Sequence, residues 1–201
     1  MKNRSSLLTK VAICWLGTVS LANAGLINPG FETGDFTGWT GFGDTGFTII
    51  SSADCGHSFP TSCTPHTGSF AAFFGNPSLG GVTQSVATVP GASYVFDFWL
   101  KVDVASVGYV GTEYIISWDS TVLADVVDAP ISSWQHLSYT TTAISSSSVV
   151  KFEFLNHPDW FGLDDVSVTA VGEVPEPVSS ILAGASLLAL AGLGRVLRRR
   201  P

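Results

Sequence analysis

Trp99 stands in the segment SYVFDFWLKVD, with Asp97 two residues before it and Lys101 two residues after. An extended chain alternates its side chains between two faces. Trp99, Asp97 and Lys101 therefore share a face with Val95, while Phe96, Phe98 and Leu100 take the other and are expected in a core. An aromatic ring beside an acid and a base suits a sugar. The ring stacks on the apolar C–H face, and the charged groups hydrogen-bond the hydroxyls. Trp160, next to Asp159 and near Asn156, is a second candidate ligand contact of this kind. Packing is the competing reading for any tryptophan, and it is the one expected for Trp39, Trp118 and Trp134.

Catalytic chemistry finds little support. The chain holds no G-x-S-x-G, no H-E-x-x-H and no G-x-x-x-x-G-K-[ST] phosphate-binding loop. Two carboxylates for glycoside hydrolysis could be drawn from the fifteen acids between residues 25 and 174, so their availability decides nothing. His57, His66, His136 and His157 are scattered over loops and strand edges, where solvated side chains are expected. The expectation is a protein that is not an enzyme.

Over that same stretch the only bases are Lys101 and Lys151, so the formal charge is −13, against −7 for the whole chain. A body without a basic face is no partner for nucleic acid. Acidic exported bodies bind divalent cations or stay soluble by repulsion, and the two are compatible. Cys55 and Cys63 lie in a loop rich in Ser, Thr, Pro and Gly, and a disulfide between them is expected outside the cell. Closing so short a loop stabilises by about 2–3 kcal/mol in the chain-entropy view. His57 and His66 flank the pair and allow a Cys/His metal site, although the spacing matches no common zinc pattern.

The elements that must position these residues read as strands. Short apolar segments at 48–52, 69–74, 81–87, 93–103, 113–119, 121–127, 135–141, 149–155 and 162–169 are separated by turn residues, and no long helical period occurs. That pattern predicts an all-β sandwich or barrel spanning residues 25–172. Residues 149–155 alternate as residues 93–103 do, with Phe152 and Phe154 on one face and Lys151, Glu153 and Leu155 on the other.

Both ends carry targeting patterns. Residues 1–24 read as a secretory signal peptide. Lys2, Arg4 and Lys10 precede an apolar stretch, and Ala22-Asn23-Ala24 places the cut between Ala24 and Gly25. At the other end, Val174, Pro175, Glu176 and Pro177 precede an uncharged run from Val178 to Gly194, and Arg195, Arg198, Arg199 and Arg200 follow. As a helix, those 17 residues span about 25 Å, short of a bilayer core of about 30 Å; extension to 178–197 brings it closer. The arginines at one end place the C-terminus in the cytoplasm and the body outside.

This tail, residues 173–201, resembles the PEP-CTERM sorting signal, also named VPEP or ice-binding-protein C-terminal domain, a name that does not imply ice binding. The resemblance implies recognition by an exosortase-type membrane transpeptidase, cleavage near the motif, and a Gram-negative bacterium that makes exopolysaccharide. The body resembles a second group. LINPGFETGDFTGWT, HTGSFAAFFG, VTQSVATVPGASYVFDFWL and FGLDDVSVT follow, in order, segments of galactose-binding-like jelly-roll modules, which include carbohydrate-binding modules. In those modules a Glu of the first strand and an Asp before the last hold a structural calcium. The resemblance assigns that role here to Glu32 and Asp165, with Asp164 beside them. Carboxylates and carbonyls suit Ca²⁺, which takes six to eight oxygens. The expected function is that of an exported surface protein associated with exopolysaccharide. A structural surface or biofilm protein without a ligand is the alternative, and a glycoside hydrolase is the third reading.

Overall fold

The computed structural model describes residues 25–53, 63–103 and 111–172. The expected signal peptide, Cys55, His57, the sorting motif and the tail helix lie outside the described residues. Among the described residues ten strands form: β1 (Thr40–Gly43), β2 (Thr48–Ser51), β3 (Ala71–Phe74), β4 (Gly80–Ala87), β5 (Ser93–Val102), β6 (Glu113–Trp118), β7 (Thr121–Val127), β8 (Ser132–Thr142), β9 (Ser147–Leu155) and β10 (Phe161–Val171). They pair, antiparallel throughout, into two five-stranded sheets, β2-β3-β10-β5-β8 and β1-β4-β9-β6-β7. The expected all-β sandwich is the architecture observed.

Alternation builds the core. Along β5 every second residue from Tyr94 to Val102 is buried, and β9 buries Val150, Phe152 and Phe154. These inward rings meet across the two sheets. Phe98 stands edge-on to Phe152 at 5.0 Å between centroids, and Phe154 packs against Phe74 at 4.5 Å and Phe161 at 5.0 Å. Such pairs add about 0.5–1.5 kcal/mol each to the gain from burial.

Two departures from the sequence expectation have local causes. TGFG forms β1 although two of its four residues are glycine, because it finds β4 as a partner through Thr40↔Thr83 and Phe42↔Gly81. The opening LINPGFE is not a strand. Asn28 and Phe31 have φ of 52° and 58°, which turns the chain, and Trp39 stacks on Phe31 at 5.4 Å. Gln84 of β4 holds this segment in place: its side chain accepts from the Ile27 N–H (2.6 Å) and donates to the Ile27 carbonyl (3.0 Å).

Candidate functional site

The two aspartates just inside β10 would point to opposite faces of a regular strand. A β-bulge between Asp164 and Ser167 changes that, and Asp165 sits at its centre in the left-handed region with φ 49°. Both side chains now serve one segment, residues 66–70. Asp164 Oδ2 accepts from the backbone N–H of His66 (2.9 Å) and of Thr67 (3.2 Å), while its Oδ1 accepts from the Asp165 N–H (2.8 Å). Asp165 lies 2.7 Å from His66 Nδ1 and accepts from the Thr67 hydroxyl at 2.7 Å. Glu32 reaches the same segment from the other end of the body, accepting from the N–H groups of Ser69 and Phe70. Gly68 makes this approach possible: it has φ +63°, and a Cβ there would stand 2.2 Å from Glu32 Oε1.

Glu32, Asp164 and Asp165 therefore gather around one loop. A Cβ built on Gly30 would lie 3.6 Å from an oxygen of each aspartate and 3.7 Å from Glu32 Cγ, so all three border the same small gap. The donor set is all oxygen and suits a hard cation. Among the described residues, however, no three His, Cys, Asp or Glu side chains converge tightly enough to hold a metal as they stand. Their oxygens are occupied by loop donors. Asp164 is completely buried, and its carboxyl is pushed up to about 6: burial dominates, the Asp165 charge adds to it, and the backbone N–H groups oppose it.

His66 is the residue that reasoning from sequence missed. Expected in solvent, it lies parallel to the Trp99 indole at 3.7 Å, with Asp165 on its Nδ1. A histidine in a polar loop carries no sequence signal of such a contact. The consequence for the expected sugar platform is direct. One face of Trp99 is covered, and His136, its partner across β5 and β8, sits 5.3 Å away. Asp97 faces His136 at 3.5 Å, and Lys101 is drawn to Asp103 at 2.8 Å. Burial raises the Asp103 carboxyl above its ordinary range.

Trp160 requires a correction. It is 2% exposed and packs with Cys63, Ala71 and Phe73 in a small apolar cluster on the outer side of the first sheet, so a ligand cannot stack on it. The cause is the strand that follows it: β10 is central, and Trp160 is held at its entrance. Trp39 and Trp118 are core residues as expected, and half-buried Trp134 lies over Gly162 with its N–H directed to the Thr64 carbonyl. Cys63 is buried and disulfide-bonded; Cys55, the partner expected for it, is outside the described residues.

The outer face of the second sheet offers another arrangement. Pairing across four ladders lines up Phe42, Gly81, Glu153, Ile115 and Asp125 in one row. The next row holds Thr40, Thr83, Lys151, Ser117 and Val122. Lys151 Nζ stands 4.5 Å from the Phe42 ring centroid and 2.8 Å from Glu153 Oε2. The row thus combines an aromatic ring, a side-chain-free position at Gly81, hydroxyls and charges. The alternation of residues 149–155 foretold Lys151 and Glu153. Phe42 was illegible, because its strand is short and glycine-flanked.

With both sheets in place, comparison with solved structures becomes informative. TmCBM61, solved in complex with β-1,4-galactotriose, superposes with a TM-score of 0.55 over 75% of this chain and 99% of that one, at 21% identity. The body folds like a carbohydrate-binding module. The CBM22-1 xylan-binding domain of Xyn10C from Paenibacillus barcinonensis agrees at a TM-score of 0.50, with 12% identity over 79% of this chain and all of the module. The enzymatically active domain of tailspike protein 4 from bacteriophage CBA120 also reaches 0.50, at 14% identity over 74% of this chain and 21% of that one. At these identities the likeness is one of fold. No protein-family model and no curated protein matches the sequence.

Proposed function

We propose that this chain is an exported surface or matrix protein whose β-sandwich body binds polysaccharide without catalysing a reaction. The observation that carries the reading is the outer face of the second sheet, where Phe42, Lys151, Glu153, Thr83 and Asp125 form a mixed aromatic and polar surface. Carbohydrate contact uses this combination, an apolar ring for the sugar face and polar groups for its hydroxyls. The fold likeness to modules solved with galactotriose or described as xylan-binding supports the same conclusion. Export rests on residues 1–24. Sorting by an exosortase-type partner rests on Val174, Pro175, Glu176 and Pro177 with the terminal arginines. Glu32, Asp164 and Asp165 would hold a structural Ca²⁺ that neutralises their charges and fastens residues 66–70 to both ends of the body.

The covered state of Trp99 favours the second reading, a structural surface protein without a ligand, for the first sheet alone. A glycan array probed with the full-length chain separates the two. Binding to at least one polysaccharide, reduced about tenfold or more in Phe42→Ala, is expected, since an aromatic contact with a ligand is worth roughly 1–3 kcal/mol. Absence of binding across neutral, amino-bearing and acidic glycans would leave the structural role.

A further inference from the structure

The body carries charge of almost one sign. Between residues 25 and 172 there are fourteen carboxylates, two lysines and no arginine. Both lysines are engaged with acids, Lys101 with Asp103 and Lys151 with Glu153, each at 2.8 Å. The outer face of the second sheet holds three of these carboxylates and one lysine. Ile115 of β6 is paired with Glu153 on one side and with Asp125 on the other, and Glu113 stands two residues along the same strand. Directly opposed residues have Cβ atoms about 4.5–5.5 Å apart, and next-but-one residues on a strand about 7 Å. Three carboxylates therefore surround one apolar side chain. Glu153 has Lys151, whereas neither Glu113 nor Asp125 forms an ion pair among the described residues.

The same face already holds an ammonium. Lys151 Nζ lies over the Phe42 ring and against the Glu153 carboxylate, a seat made of an aromatic face and a negative charge. Residues next to it repeat half of that seat with no cation of their own. An acidic polysaccharide would meet repulsion here and find no free base. A neutral one would leave the charge of Glu113 and Asp125 unused.

We infer that this face takes a polysaccharide bearing free amino groups, such as an incompletely N-acetylated hexosamine polymer. The inference rests on the glycan-binding reading above and narrows it by charge. Ammonium groups of successive sugars meet Glu113 and Asp125, and the C–H face of a ring lies on Ile115. Attraction between exposed charges decays over about 8 Å at physiological ionic strength, so the preference belongs to low and moderate salt.

The test is calorimetry on the full-length chain with three probes: a glucosamine hexamer, its fully N-acetylated counterpart and oligogalacturonate. The expected result is at least tenfold tighter binding of the glucosamine hexamer, with the preference shrinking as sodium chloride rises from 50 to 500 mM. Glu113→Gln with Asp125→Asn should weaken it about threefold or more, in line with two exposed charge contacts. Asp35→Asn, in the exposed turn ahead of β1, should leave it unchanged. Equal affinity for the N-acetylated hexamer, or preference for oligogalacturonate, overturns the inference while leaving glycan binding intact. An Asp35→Asn loss as large as that of the double variant overturns it too, by showing attraction spread over the whole body. Binding of none of the three sinks the inference, and the glycan array then decides separately whether the broader reading stands.

Discussion

Asp164 shows how much one buried carboxylate can set. It anchors two backbone N–H groups of the 66–67 segment, yet burial beside Asp165 raises its carboxyl from 3.8 to about 6. Its folded-state value lies above its unfolded one, so between about 4 and 6 the folded chain binds more protons. Its contribution to stability is therefore largest below about 4 and is lost as pH rises through 6. In EDTA, the melting temperature of the wild type should fall relative to Asp164→Asn across that window. Added calcium should raise the midpoint and flatten the difference, because a cation favours the ionised form. A midpoint indifferent to calcium removes the structural cation. His66 belongs to the same scale. Its stacking on Trp99 was not legible because side-chain contacts between distant segments leave no trace in local residue order.

At the scale of elements, the strands were legible and the bulge was not. Nine of the ten strands follow from apolar segments bounded by turn residues, and the buried alternation of β5 is visible in its letters. The β10 bulge inverts the facing of one aspartate, and it depends on how β10 meets both β5 and residues 66–70. Gly68 measures how tightly that loop is held. Gly68→Ala combines left-handed strain with a Cβ 2.2 Å from Glu32 Oε1, whereas Gly91→Ala, at φ +81° with nothing within 4 Å, carries strain alone. Strain of this kind costs about 1–2 kcal/mol, or roughly 2–8 °C in melting temperature for a body of this size. Gly68→Ala should exceed Gly91→Ala by a further margin set by displacing Glu32. Equal losses in thermal melts would show that Glu32 does not constrain the loop.

For the whole molecule, the expected processing predicts what is recovered outside the cell. Intact-mass measurement should find a chain that begins at Gly25 and ends near Pro177; an intact Arg200-Pro201 terminus would end the sorting reading. The sequence alone determined the class of fold and the sign of the charge, since each depends on composition or on a period of two residues. Tertiary structure decided the rest: which carboxylates meet, which tryptophan is buried, and which sheet keeps an open polar face. The physical reason is distance along the chain. The His66–Asp164 hydrogen bond joins residues 98 apart, and Gln84 grips Ile27 across 57. Such contacts exist only after two sheets have closed on a shared core, because until then no local preference brings their partners within reach.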